Sequence, residues 1–346
     1  MNIQDLLPIA NIHNHPLPAD FFSAATESLL NENFPIEKRA NLLEAISSRP
    51  LVGSELAAFA IELLSRATPI PNLPSGILDL CGTGGDKAGL FNISTAAFFV
   101  VAGAGALVAK HGNRAITSAS GSADTLEALG IRINIPTIEV ADILRSVGCV
   151  FLFAPNFHPA LKRIMPVRKF LAERGIPTIF NLLGPLLNPA HPNFQLSGIF
   201  RSDILETYCT AMSLLGRKEA WVICGTSSQG DALDEVSPFG HTSVARFSNG
   251  QIDHFTIQPD QLGITPPPIT ELLGGCPTEN AQTILAILEN NDHSGRRTAV
   301  ELNAAAALCT CGLASTMADG LTKASHSISS GAALNKLQLL KRATKN

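Results

Sequence analysis

Ile77-Leu-Asp-Leu-Cys81-Gly82-Thr-Gly-Gly85-Asp86-Lys-Ala-Gly-Leu-Phe-Asn92-Ile-Ser94-Thr95 is the stretch that decides the fold. A short apolar run ends in a glycine-rich loop, and the loop opens into an apolar helix from about Ser94. A short apolar run bounded by glycines reads as a strand buried on both faces, as in a parallel sheet. Glycines at the strand end let backbone N–H groups approach an anion, and the helix start adds positive potential. Asn92, Ser94 and Thr95 bring hydrogen-bonding side chains to the same place. Asp86 alone repels phosphate, so it suits a sugar hydroxyl or a metal ion. The spacing fits neither a Walker A loop nor a dinucleotide fingerprint. Taken alone, the segment is also compatible with a bare strand-to-helix turn capped by Ser94.

The alternation continues outward. Leu107 to Ala109 is a second strand, Ser122 to Leu129 a helix and Cys149 to Ala154 a strand. Pro159 to Arg174 reads as an amphipathic helix. Phe194 to Phe200 and Trp221 to Cys224 are further strands. Between His241 and Ile257, two β-rich runs flank Ser248-Asn249-Gly250, a hairpin signal. From Thr278 the tail is helical. Upstream, Thr68 to Gly76 holds three prolines and reads as a linker. Ahead of it lie helices over Phe21 to Leu30, Ile36 to Ile46 and Gly53 to Ala67, the last with Ser54 as N-cap. Strands alternating with helices imply a mostly parallel sheet covered on both faces. The fold class is therefore α/β, with a helical segment in front of it.

Composition narrows the function. Of 346 residues, 45% are hydrophobic and 16% charged, ample for a buried core. The net charge of −4 offers no global attraction for nucleic acid or an anionic membrane. One Trp and one Tyr are too few for base-stacking platforms. Seven cysteines without a C-x-x-C pair read as buried thiols of a cytoplasmic protein. The N-terminal residues show no secretory leader, and Ala96 to Ala109 is too short for a membrane span. His13 and His15 sit in a Pro-flanked stretch that reads as an exposed loop rather than a metal pair.

Two further motifs fall at strand ends. Lys110-His111-Gly112-Asn113-Arg114 follows the second strand as a basic turn. Neighbouring strands of a parallel sheet share their carboxyl ends, so this turn faces the glycine loop. Lys110 and Arg114 suit phosphate oxygens, and His111 and Asn113 a smaller polar group. Ser118 to Asp124 offers hydroxyls at another helix start. Asp234-Glu235 follows a strand. Standing alone, such a pair reads more simply as an acidic turn. Beside a pyrophosphate it would collect Mg²⁺, a hard cation that takes oxygen ligands.

Together these pieces resemble the anthranilate phosphoribosyltransferase family. The matches are GTGGD at 82–86, FNIST at 91–95, KHGNR at 110–114, SGSAD at 120–124 and FAPNFHPALKRIMPVRK at 153–169. TIFNLLGPLLNP at 178–189, LDEVSP at 233–238, GGCPTEN at 274–280 and SSGAALNKL at 329–337 complete them. The resemblance implies a nucleoside phosphorylase/phosphoribosyltransferase class of fold. A small helical domain, 1–73 joined by helices from about 160–190, would carry a homodimer contact, and 74–346 would form the large α/β domain. It implies phosphoribosyl pyrophosphate on Gly82, Gly85, Asp86, Asn92, Ser94, Thr95, Lys110 and Ser122. One Mg²⁺ would touch Ser94 and another Asp234 and Glu235. Anthranilate would meet Asn113 and Arg168, with His111 and His158 along its route. Lys110, His111 and Arg168 are the implied catalytic residues, His111 either as proton acceptor or as a positioning group.

The chain departs from the family pattern in places. Leu90 stands where a Thr is usual, and Lys87 where a Gly is common. Phe170 to Pro177 is extended, and Pro177 replaces a common Arg. Cys224-Gly225 replaces a His-Gly pair and is followed by a longer Thr226 to Gly230. The N-terminal region reads one helix short. Rival readings are transfer to a different aromatic acceptor, a pyrimidine nucleoside phosphorylase, and a non-enzymatic nucleic-acid-binding relative. The Asp234-Glu235 pair and FNIST favour the transferase over the phosphorylase. The charge of −4 and the intact carboxylates count against nucleic acid.

Overall fold

Ile77, Leu78 and Leu80 are almost wholly buried. In the computed structural model, which describes residues 3–13, 15–18, 20–86, 88–115 and 119–345, they belong to the first strand, β1 (Ile77–Gly82). The other strands are β2 (Leu107–Gly112), β3 (Cys149–Phe153), β4 (Phe194–Gly198), β5 (Glu219–Thr226), β6 (Ala232–Leu233), β7 (Thr242–Ser248) and β8 (Gln251–Ile257). Their order is β3-β2-β1-β4-β5-β7-β8, with β6 set against the end of β5. The pairings from β3 through β5 are parallel, and those of β6, β7 and β8 antiparallel. Asn249 (φ 50°) and Gly250 (φ 81°) make the tight β7–β8 turn, which needs two left-handed residues. From β1 the chain runs to one side through β2 and β3, then returns to the other through β4. The carboxyl ends of β1 and β4 therefore part at the point where strand order reverses, and a crevice opens there.

Helices α1 (Ile3–Ala10), α2 (Phe21–Leu30), α3 (Ile36–Ser47) and α4 (Gly53–Leu64) precede the sheet. Next come α5 (Ile93–Gly103), α6 (Ser122–Ala128), α7 (Thr137–Val147), α8 (Ala154–Phe157), α9 (Met165–Ala172), α10 (Phe180–Leu183) and α11 (Leu205–Leu214). The chain ends in α12 (Pro277–Leu288), α13 (Gly295–Thr310), α14 (Met317–Ser329) and α15 (Ala332–Ala343). Thr95 through Ala102 of α5 are all buried, as an apolar surface on every side requires. Side chains alternate across β5, and its two faces enter two apolar clusters. Trp221 and Ile223 join α5 and α13, whereas Ala220, Val222 and Cys224 join α11, α4, α9 and α10.

Several sequence expectations change. Lys110, His111 and Gly112 are not a turn; they complete β2 in register with Phe151, Leu152 and Phe153 of β3. The stretch from Pro159 to Arg174 is not one helix. A 3₁₀ turn over Pro159–Arg163 ends at Ile164, and α9 begins with Pro166 in its first turn, where a missing N–H costs nothing. The N-cap of α4 is Val52 rather than Ser54. Helix α1 supplies the element that the N-terminal region appeared to lack; Pro8 inside it masks the helical signal. Helices α7 and α11 were not anticipated. His13 and His15 are exposed, and the Arg49 guanidinium, paired with Glu55 at 3.0 Å, binds the carbonyls of Ala10, Ile12 and His15.

Candidate active site

The glycine loop and the acidic turn are built into one another. The turn between β6 and β7 drops across the ends of β1 and β4. The Gly84 N–H donates to Asp234 Oδ2 at 2.5 Å. Gly198, at the end of β4, leaves the space: a Cβ there would sit 1.6 Å from the Asp234 carbonyl oxygen. Backbone cannot retreat as a flexible side chain can. Gly198→Ala is therefore expected to cost roughly 3 kcal/mol, read as a lower urea midpoint at unchanged slope; an unchanged midpoint would contradict this packing. Gly85 similarly lets the loop lie on the Phe200 ring.

Lys110 is 2% exposed. Its Nζ donates to the Leu80 carbonyl at 2.6 Å and to Ser94 Oγ at 3.2 Å, so the cation lies beneath the glycine loop at the start of α5. A charge so placed needs partners. They come from a polar network that the sequence reading missed. Asp79, wholly buried on β1, accepts from the His111 N–H at 3.3 Å and from Gln195 Nε2 at 3.4 Å. Gln195 Oε1 accepts from Arg217 Nε at 2.8 Å. Burial raises the Asp79 carboxyl, and Lys110 is the main opposing influence. Burial likewise pulls Arg217 down to about 10. Alternating apolar and charged residues on a strand would have been the only hint.

The acidic turn is short of positive charge. Burial raises Asp234 above the usual carboxylate range, and the nearby Asp86 carboxylate adds to this. Burial, and then the Asp234 carboxylate, also raise Glu235 well above the ordinary range, with Lys110 opposing. Ser94, Asp234 and Glu235 line the same small cavity at the ends of β1 and β4. The hydroxyls of Thr83 and Thr95 are buried with no hydrogen-bond partner among the described residues. Oxygen donors that resist ionising are relieved by a hard dication. Among the described residues no three His, Cys, Asp or Glu side chains converge to cage a metal. The donor set instead suits Mg²⁺, which keeps waters and shares its coordination with substrate phosphates.

Asn92 is tightly committed. Its Oδ1 accepts from Thr125 Oγ1 at 2.6 Å and Asn280 Nδ2 at 2.9 Å, and its Nδ2 donates to the Ser120 carbonyl at 3.2 Å. Asn280, in the GGCPTEN stretch, thus braces the loop before α5. Leu90 pairs with Leu273 in the same brace. Lys87 and Ser118 lie outside the described residues.

On the other flank, the rings of His111 and His158 meet edge to face at 5.4 Å. His158 Nε2 reaches the Leu187 carbonyl at 2.7 Å. His111 is 7% exposed, and its Nε2 finds no partner among the described residues. Burial first, then His158, pushes the His111 imidazole down to about 3, so it is neutral across the physiological range. Asn113 is exposed at the end of β2, and its carbonyl accepts from Ser122 Oγ at 3.3 Å. Arg114 is no free phosphate ligand: it pairs with Asp124 at 2.8 Å and Glu127 at 2.5 Å. Arg168, on α9, lies 5.5 Å over the Phe180 ring, half-buried. Burial alone lowers it, and no carboxylate pairs with it among the described residues.

Residues 75–334 match the family described as the glycosyl transferase family, α/β domain. An anthranilate phosphoribosyltransferase of Exiguobacterium sibiricum is 41% identical over 337 residues, spanning 97% of this chain and 96% of its own. This chain belongs to the anthranilate phosphoribosyltransferase family. A Bacillus thuringiensis member is 43% identical over 312 residues, 90% of this chain and 89% of that one. The solved family structure from Thermus thermophilus superposes with a TM-score of 0.89 at 34% identity, covering 99% of this chain and all of that one, 100%. The Saccharomyces cerevisiae family member in complex with PRPP and Mg gives 0.88 at 29% identity, covering 99% and 97%. The segment after Arg168 folds as the end of α9 and a turn at Gly175, with Arg174 stacked 3.8 Å from the Phe170 ring.

Proposed function

We propose that the chain transfers the phosphoribosyl group of phosphoribosyl pyrophosphate to the amine of anthranilate, giving N-(5-phosphoribosyl)anthranilate and pyrophosphate, in tryptophan biosynthesis. The observation that supports this reading is the joining, at one sheet end, of a glycine loop to a buried acidic turn whose carboxyls are raised by burial. Gly82, Gly85, Asp86, Asn92, Ser94, Thr95, Lys110 and Ser122 hold the sugar pyrophosphate, and Asn113, His158 and Arg168 the acceptor. One Mg²⁺ at Ser94 and another at Asp234 and Glu235 would supply positive charge to offset that growing on the departing pyrophosphate.

The amine nitrogen attacks the ribose C1 as the C1–O bond to pyrophosphate breaks, through a loose, oxocarbenium-like transition state. Lys110, fixed in a low-dielectric setting, stabilises charge that grows at the start of α5. Arg168 holds the anthranilate carboxylate, and tethering both reactants supplies proximity. The amine is neutral near pH 7 and needs no strong base. The depressed basicity of His111 suits a neutral hydrogen-bonding partner that orients the amine better than it suits a general base.

Anthranilate fluorescence, followed with and without phosphoribosyl pyrophosphate and MgCl₂, tests the reaction. Loss of signal should need both. Turnover of another aromatic amine with anthranilate untouched would redirect the acceptor. Arg168→Ala is expected to lower kcat/KM for anthranilate by roughly a hundredfold, chiefly in KM, and Arg168→Lys to recover little, because a forked guanidinium matches a carboxylate in a way an ammonium does not. An unchanged KM would remove Arg168 from the acceptor site.

The same reading carries a helical domain over 1–73 with helices from about 160–190, a 74–346 α/β domain, and a cytoplasmic homodimer. Exposed Val52 and Ile61 offer apolar surface for a second copy. Among the described residues no helix is long and apolar enough to cross a membrane.

A further inference from the structure

Asn303 sits mid-way along α13 in Leu302-Asn303-Ala304-Ala305-Ala306-Ala307-Leu308, where every neighbour is small or apolar and buried. It is itself 2% exposed. Asparagine is a poor helix former, and a buried amide is costly unless its hydrogen bonds are made. A leucine would pack an apolar helix as well. The amide is instead committed to one residue across the gap. Oδ1 accepts from the Val236 N–H at 2.9 Å, and Nδ2 donates to the Val236 carbonyl at 3.1 Å. The remaining amide hydrogen goes to the Ala299 carbonyl at 2.9 Å, one turn back on α13.

Two bonds to the N–H and C=O of a single residue fix its rotation as well as its position. Val236 directly follows Asp234-Glu235. Asn303 also lines the small cavity shared by Ser94, Asp234 and Glu235. The residue after Val236 is pinned too: the Ser237 N–H donates to Thr242 Oγ1 at 2.9 Å, and Ser237 Oγ donates to the Thr226 carbonyl at 2.6 Å. The Gly84 N–H holds Asp234 from the opposite side. Asn303 thus ties the acidic turn to α13, in the helical layer behind the sheet.

We infer that Asn303 is the positioning residue of the acidic turn, holding Asp234 and Glu235 in the arrangement that takes Mg²⁺. This rests on the reading of those carboxylates as metal ligands. Groups that orient metal ligands commonly govern metal affinity without touching the metal.

Asn303→Leu keeps the branched shape with somewhat more bulk and removes all three bonds. Asn303→Asp keeps the shape and the acceptor but loses the donors. The full chain of each is assayed for the Mg²⁺ concentration giving half-maximal turnover, for the anthranilate KM, and for the rise in melting temperature when MgCl₂ is added with pyrophosphate. Half-maximal Mg²⁺ should rise by roughly 10–100-fold. The metal-linked melting shift at fixed MgCl₂ should shrink, and the anthranilate KM should hold. An unchanged Mg²⁺ response, or a fall in kcat with no change in it, overturns the inference. So does the absence of a cooperative melting transition in both variants, which assigns Asn303 to the fold as a whole. Asp234→Asn/Glu235→Gln, measured alongside, separates the two ideas. A wild-type metal response there sinks the ligand reading. An altered one, with the Asn303 variants unaffected, sinks the positioning claim alone.

Discussion

Asp234→Asn/Glu235→Gln should lower Mg²⁺-dependent turnover by roughly 10²–10³-fold, the scale of losing charge stabilisation at a leaving group. The change should appear as lost response to MgCl₂. Turnover that stays Mg²⁺-dependent at the wild-type concentration would show that the metal is held elsewhere. The same variant should also alter stability, and the sign follows from the direction of the shifts. Both carboxyls are raised in the folded chain by burial first, with Asp86 adding to it at Asp234 and Asp234 adding to it at Glu235. A raised carboxyl keeps its proton in the fold at pH values where the unfolded chain has released it. Its contribution is then lost as pH rises from about 4, the unfolded value, through the folded value. The metal-free wild type should therefore lose melting temperature between pH 5 and pH 8. The double amide, having nothing to titrate there, should lose less. Equal slopes for the two proteins would mean that the turn is not short of positive charge.

Lys110→Met is expected to act on both stability and catalysis. Removing one partner of a buried charged group costs about 3–5 kcal/mol, and Lys110 is the chief influence opposing the desolvation of Asp79. Without it the Asp79 carboxyl must hold a proton, which grows costlier as pH rises, so the stability deficit should be larger at pH 8 than at pH 5. Turnover should fall by roughly 10²-fold or more, since a fixed cation beneath the pyrophosphate loop is gone. Adding Asp79→Asn removes the stranded carboxyl and should restore much of the stability and none of the turnover. If the double variant stays as unstable as Lys110→Met, the two residues are not energetically coupled. If turnover returns with stability, Lys110 serves the fold alone.

Much of the architecture was legible because its signals are local. An apolar run bounded by glycines, as at 77–86, has few alternatives to a buried strand, and Asn249-Gly250 has few alternatives to a tight hairpin. Pro166 shows where local reading slips: the amphipathic spacing from Pro159 to Arg174 is real, but a proline has no N–H to carry a helix through it, so a 3₁₀ turn ends at Arg163 and a new helix starts with Pro166 in its first turn. Lys110 and His111 show the larger failure. Charged and polar residues after Ala109 read as the end of a strand. They continue it because Asp79, Leu80 and Ser94 supply hydrogen bonds from elements 16 to 32 residues away.

The sequence by itself determined the parallel sheet, the glycine loop at the end of its central strand, and the residue types that handle a sugar pyrophosphate and a dication. Those are properties of short segments, set by periodicity, glycine placement and side-chain chemistry. Only the tertiary structure decided how the charges are used. It buried Lys110, paired Arg114 away, left Arg168 without a counter-ion among the described residues, and set Asp234 against the Gly84 N–H with Asn303 behind the turn. Burial and pairing depend on which segments meet, and in a parallel sheet the neighbours come from distant parts of the chain.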